Sequence, residues 1–280
     1  MKTTEFSENP NQHGSMLPGK VASFFKSLSI QRRVIAALFL RELLTRYGRH
    51  NIGFLWLFVE PMLFTVGVTA LWYLIKANHA SDLPIAVFAL TGYSSVLMWR
   101  NMPSRCTGAI NSNFSLMYHR NVKVIDIYAA RLLLEIIGTT MSFVVLSLIF
   151  IFIGLIQPPE DLLLVVLGWF SLAWFGAALG LLIGTFGEDY PLLEKLWHPM
   201  SYLLFPLSGA AFLVDSLPTA VQDIMLYVPM IHAVEMIRDG YFGSEFFAHY
   251  NVSYFLVFNA VLMLIALAQM QKVSRTVVPE

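Results

Sequence analysis

The sequence predicts an all-α polytopic membrane protein with six transmembrane helices. An amphipathic interface helix precedes the first span, and a re-entrant helical hairpin precedes the last. Three observations carry this expectation. Only 13% of the 280 residues are charged and 57% are hydrophobic, against about 25% charged in an ordinary soluble domain. The apolar residues gather into runs of 19 to 25, and about 20 suffice to cross a bilayer as a helix. Sixteen of the eighteen Lys and Arg residues fall in alternate connections, the pattern of a chain that keeps its basic loops in the cytoplasm.

Taken in order, residues 1–20 read as a disordered cytoplasmic tail, polar and interrupted by Pro10, Gly14, Pro18 and Gly19. No apolar core of a signal peptide stands among them. Residues 21–50 place Phe24, Phe25, Val34, Leu38, Leu43, Leu44 and Tyr47 at roughly helical intervals among arginines. Such a helix lies in the interface plane, apolar side toward acyl chains and arginines toward headgroups. It serves either as a plain anchor or also as a docking face for a soluble partner. A six-span region over 51–272 follows, with spans at 53–75, 84–103, 136–156, 162–186, 196–214 and 252–270, and 273–280 forms a cytoplasmic tail. An even number of spans keeps both termini on one side, in agreement with the charge distribution.

Between the second and third spans, "NFSLMYHRNVKVID" is too polar to cross and too long for a turn. There Phe114, Leu116, Met117 and Tyr118 beside His119, Arg120 and Lys123 make either a short helix fitted to a partner's groove or a solvated loop. Residues 215–250 hold two apolar pieces, each too short to cross, and read as the re-entrant or interfacial hairpin. Within it Glu235 and Arg238, three apart, face together on a helix as a structural ion pair. Gly176, Gly180 and Gly184 recur every fourth residue. They form a stripe for close helix packing, inside the subunit or across a dimer. Pro199 and Pro206 kink or break the fifth span.

Several chemistries are excluded. The single cysteine, Cys106, rules out an internal disulfide or a cysteine metal cluster, and no metal site or catalytic residue is expected. "GRHNIGFL" sets Gly48 and Gly53 at phosphate-loop spacing, with Phe54 and Leu55 where Lys and Ser/Thr must stand. No H-E-x-x-H or G-x-S-x-G occurs. What remains are ionisable groups at membrane depth, which are costly and so point to function. Glu60, beside Pro61 and about 10 Å into the first span, either lines a path or pairs structurally with Arg46, Arg49 or Arg100. Arg100, beside Trp99 at the inner end of the second span, either meets an anionic substrate or snorkels to headgroups. Trp72, Tyr73, Tyr93 and Tyr202 offer flat faces for sugar rings or belong to the interfacial aromatic belt.

The stretches Arg41–Tyr47, "RELLTRY", and Gly53–Pro61, "GFLWLFVEP", lead into six spans with a polar segment after the second. This arrangement resembles the permease subunit of capsular polysaccharide ABC exporters. More broadly, it is similar to the ABC-2 (type V exporter-like) transporters that also carry O-antigen and teichoic acid chains. "PMIHAVEMIR", Pro229–Arg238, is similar to the family's proline–glutamate–arginine element, with Val228 where many polysaccharide exporters have asparagine. The resemblance covers residues 30–270 and implies a homodimer in the bacterial inner membrane with two separate ATPase subunits. Those subunits bind ATP and Mg²⁺, so the permease itself needs no cofactor. The resemblance further implies that Arg41, Glu42, Arg46, Tyr47 and Arg49 belong to an interface helix, and that 113–123 couples to the ATPase. The implied cargo is a long, often acidic, lipid-linked glycan. A periplasm-spanning co-polymerase and an outer-membrane exit protein are the implied partners. An O-antigen or teichoic acid exporter would look alike. A membrane-embedded glycolipid transferase would need a carboxylate or histidine constellation at one membrane face, and the sequence has no clear one.

Overall fold

The computed structural model of the chain describes residues 16–48, 53–75, 84–119 and 122–277, and every element among them is helical. In chain order these are α1 (Met16–Tyr47), α2 (Gly53–Ile75), α3 (Ile85–Cys106), α4 (Phe114–His119) and α5 (Val124–Phe152). Then come α6 (Leu162–Asp189), α7 (Pro191–Leu207), α8 (Thr219–Met225), α9 (Pro229–Phe242) and α10 (Val252–Val277). The expected tail lies outside the described residues up to residue 15, and from Met16 the chain is already helical. Arg49 and Arg120 also lie outside the described residues.

Local chemistry sets the helix ends. At the start of α6 the Asp161 carboxylate accepts from the Leu164 N–H at 3.0 Å, satisfying one of the first turn's free donors. The Asp126 carboxylate accepts from the Lys123 N–H at 3.0 Å where α5 begins. Pro191 and Pro229 occupy the first turns of α7 and α9, where a missing N–H costs nothing. Gly243, at φ 52°, ends α9 in the left-handed region.

The axis of the molecule is the α3–α6 pair. A methyl group at Gly176 would stand 2.9 Å from Met102 Sδ and 3.0 Å from Trp99 Cα. At Gly184 it would stand 2.7 Å from both Cys106 Cβ and Tyr128 Cε1. The glycine stripe is therefore consumed inside the subunit. Gly240 repeats the device between α9 and α6, where a methyl would meet Asp161 O at 2.8 Å. Around this axis α5 and α2 lie against α3, α10 lies against α6, and α1 packs chiefly on α5. Because neither Cys106 Cβ nor the Tyr128 ring edge yields easily, Gly184→Ala is expected to cost about 1–3 kcal/mol. Gly187→Ala has only Glu194 Cβ nearby, at 3.8 Å, and should be neutral or better. Thermal unfolding of the two purified variants checks the pair; equal melting temperatures would remove the stripe from the packing argument.

Among the described residues, four helices are long and apolar enough to cross a membrane: α2, α5, α6 and α10. The α8–α9 pair is bent by 109° at its break. The expected spans at 84–103 and 196–214 fall short of that standard, each for a physical reason. Helix α3 carries Arg100, Arg105 and the buried hydroxyls of Thr91, Ser94 and Ser95, and it is sheathed in protein, with Leu90, Met98, Trp99 and Met102 fully enclosed. Helix α7 has 17 residues, opens on Pro191 with Glu194 and Lys195 close behind, and stops at Leu207. The expected span at 136–156 is the later part of α5, whose 29 residues begin at Val124. That extension carries a charged face into the bundle.

Candidate functional site

Because α5 starts early, Arg131 and Glu135, four apart, share one of its faces, and that face meets α1 and α3. The Glu135 side chain is only 6% exposed. It accepts a hydrogen bond from Arg46 Nη1 and pairs with Arg105 Nε at 3.1 Å. Arg46 Nη2 lies 3.9 Å from Glu60 Oε2, on a Glu60 side chain that is 58% exposed. One step away, Arg131 Nε stands 2.9 Å from Glu42 Oε1. The other nitrogens of Arg131 donate to Arg105 O at 2.9 Å and Ser112 Oγ at 2.8 Å. Arg41 donates to the Asn113 side-chain oxygen, and Gln31 Nε2 donates to Asp126 Oδ1 at 2.9 Å. Charge-assisted bonds of this kind are the strong ones, and a carboxylate as enclosed as Glu135 requires them.

Beside this network a cavity of about 280 Å³ opens between α1, α2, α3 and α5, with Arg46, Glu60, Arg100, Asn101, Glu135 and Thr139 on its walls. Arg46 is shared between two carboxylates there. Arg100 has no carboxylate partner among the described residues; its guanidinium lies over the Tyr202 ring, 4.4 Å from the centroid. Burial pushes the Tyr47 phenol up to about 12, so it stays neutral at the cavity wall. The arrangement offers one uncompensated cation at an opening between helices. It contains no nucleophile–base pair.

The other candidate residues divide clearly. Trp99 is fully enclosed, edge-on to Trp197 with centroids 6.5 Å apart. Tyr93 is buried, its hydroxyl accepting from Trp72 Nε1 at 3.0 Å, and Trp72 packs edge-on to Phe88. In this arrangement Trp99 and Tyr93 serve as core and present no free ring face, while Tyr73 and Tyr202 are exposed. Of the coupling candidates, Phe114 is exposed, and Leu116 and Met117 pack partly against the chain's own apolar cluster around Ile110 and Val124. The side chains of Tyr118 and His119 lie outside the described residues. Sequence reasoning passed over Glu135, Arg105, Arg131 and Asn113. The available signal was the Arg131–Glu135 spacing at the lip of an apolar run.

Toward the opposite end, Arg238 and Glu235 are both fully enclosed, with Arg238 Nη1 3.7 Å from Glu235 Oε1. The arginine is held mainly by backbone. Nη1 donates to Gly209 O and Phe212 O, both at 2.7 Å, and Nη2 donates to Ala210 O at 3.2 Å. The guanidinium also lies 4.5 Å over the Phe88 ring, and Glu235 Oε2 accepts from the His249 N–H at 3.2 Å. Gly92 makes room, since a methyl there would stand 2.5 Å from Ala210 O. Arg238 thus pins the turn that follows α7 against α3 and α9.

A family model described as ABC-2 type transporter matches residues 33–242. The chain is 46% identical over 92% of its length, and 97% of the relative's, to the capsule polysaccharide export inner-membrane protein CtrC of Neisseria meningitidis serogroup B. It is 41% identical, over 94% of its length and 99% of the relative's, to the capsule polysaccharide export inner-membrane protein BexB of Haemophilus influenzae. It is 28% identical, over 85% of its length and 93% of the relative's, to the polysialic acid transport protein KpsM of Escherichia coli.

Proposed function

The chain belongs to the ABC-2 type transporter family, and from that premise we propose that it is the permease subunit of an ATP-driven exporter that moves lipid-linked capsular polysaccharide across the bacterial inner membrane. The observation that carries this reading is end-to-end similarity to a capsule polysaccharide export inner-membrane protein, over 92% of this chain and 97% of the relative. In this reading α2, α3, α5, α6, α7 and α10 cross the membrane, α8–α9 form a re-entrant hairpin, and both termini are cytoplasmic. The clustering of basic side chains around Glu135, with Arg238 the only Lys or Arg at the other end among the described residues, supports that orientation. Two copies form the channel, and two separate ATPase subunits drive it. Helix α1 is the interface helix. The Arg41–Asn113 and Arg131–Ser112 bonds tie the segment before α4 to α1 and α5, so a displacement of α4 by the motor is passed through these helices toward Glu135. A periplasmic co-polymerase and an outer-membrane exit protein complete the route, and Arg100 attracts acidic cargo at the inner opening.

The test is complementation of a capsulated strain lacking its own permease, supplied with this chain and the ATPase encoded beside it. Surface polysaccharide should return, and the lipid-linked polymer trapped inside the deleted strain should clear. Polymer that stays inside despite correct insertion would overturn the reading. In the same cells Arg100→Ala should lower export several-fold and Arg100→Lys should keep part of it. Export at the wild-type rate with Arg100→Ala would mean that the side chain only reaches headgroups.

A further inference from the structure

We propose that a second cavity, remote from Glu135, is a carbohydrate subsite that takes the hydroxyl-bearing face of the glycan as it leaves the permease. The proposal rests on the exporter reading for the identity of the glycan. The cavity, of about 670 Å³, lies between α8, the start of α9 and the segment leading into α10. Small-molecule sites measure roughly 300–1,000 Å³.

Its walls are fixed before any ligand arrives. His232 Nδ1 accepts from the Asn251 N–H at 3.1 Å, and its Nε2 faces Leu226 O at 2.9 Å, so the ring is a neutral imidazole with the proton on Nε2. The Tyr254 hydroxyl donates to Tyr227 O at 2.8 Å, and the Tyr254 N–H donates to Asn251 Oδ1 at 2.9 Å. The His232 and Tyr254 rings meet edge-on with centroids 5.1 Å apart. These bonds lock the floor, and a locked site loses little entropy on binding.

The groups left open define the ligand. The Tyr227 ring is 77% exposed at the rim. Among the described residues the Tyr227 hydroxyl, the Asp223 carboxylate and the Asn251 amide nitrogen have no partner. An aromatic face suits the C–H face of a sugar ring, while a carboxylate acceptor beside an amide donor suits neighbouring hydroxyls. No Lys or Arg lines the cavity, so carboxylate or phosphate substituents of the polymer find no counter-ion there. The subsite holds the uncharged faces weakly and lets the charged groups pass. A peptide anchor is the less favoured occupant, because the open groups are polar.

In exporting cells, Ala248→p-benzoylphenylalanine places a photoreactive ketone on the cavity wall. Irradiation should give a permease-containing species, larger than the permease alone, that carries capsule antigen. Adding Tyr227→Ala or Asn251→Ala should cut that adduct about tenfold at unchanged permease level. An adduct to protein instead of glycan overturns the proposal and makes the cavity a docking surface. Absence of a glycan adduct while export continues overturns it as well. Should the cells not export at all, the exporter reading fails, and the subsite is decided on the full-length permease in nanodiscs. There, saturation-transfer NMR with oligosaccharides from partial hydrolysis of the host's own capsule should show transfer that Tyr227→Ala abolishes. Equal transfer in both proteins, or none in either, rejects the site.

Discussion

Arg238→Ala is expected to abolish accumulation of the folded permease. The substitution strips three carbonyl groups of their donor and leaves the Glu235 carboxylate enclosed without its cation. Breaking one side of a buried pair costs about 3–5 kcal/mol, a large share of the roughly 5–15 kcal/mol that holds a typical domain together. Arg238→Lys should rescue poorly. A single ammonium cannot span the fork that reaches Gly209, Ala210 and Phe212, and it stacks less well on Phe88. The combination Arg238→Met with Glu235→Gln removes both charges and should accumulate better than Arg238→Ala alone. Size-exclusion profiles and melting curves of detergent extracts read all three. An Arg238→Ala protein that is monodisperse and melts with the wild type would refute the pinning role.

Glu135→Ala should be the most damaging change in the network around Arg46, where Glu60→Gln should be mild. Glu135 is 6% exposed and answers Arg46 and Arg105 together. Without it two guanidinium groups face each other at a helix junction, and α1 loses one of its polar ties to α5, leaving those of Glu42 to Arg131 and Gln31 to Asp126. The expected cost is about 2–3 kcal/mol, below that of a fully buried pair because Arg105 is 40% exposed. At 3.9 Å and 58% exposure, Glu60 contributes no more than about 0.5 kcal/mol to stability. Arg46→Ala combined with Glu135→Ala should cost less than the two separate losses added together, since both remove the same contact. The readouts are melting temperature and the amount of ATPase subunit that co-purifies. Equal effects from Glu60→Gln and Glu135→Gln would dismantle this ranking.

The carboxylate that draws the eye in the sequence is Glu60, set beside a proline in an apolar run. Glu135 is harder to find because its importance is non-local: its partner Arg46 stands 89 positions away. A third span that starts at Ile136 leaves Glu135 just outside it. The helical class and the charge asymmetry were legible, because both follow from runs of apolar residues and from where Lys and Arg fall. The partner of the glycine stripe was not, since spacing shows that a helix permits close approach without naming the neighbour. Trp99 and Tyr93 illustrate the same limit. On a helix buried on nearly every side, sequence does not distinguish a ring that faces a cavity from one that fills the core. Helix α3 falls short as a span because other helices cover most of its surface, whereas α7 is largely exposed and falls short through its 17-residue length and the early Glu194 and Lys195.

The sheathing of α3 carries a consequence for how the protein is made. Helix α3 ends at Cys106, and its glycine-striped neighbour α6 is complete only at Asp189, 83 residues later. At about 5–20 residues per second, roughly 4–17 seconds of synthesis separate the two. Through that interval α3 must hold Arg100 and the Thr91, Ser94 and Ser95 hydroxyls without the surface that later covers it. A helix so poorly matched to lipid is expected to stay beside the insertion machinery until α6 emerges, so that the two leave it as a pair.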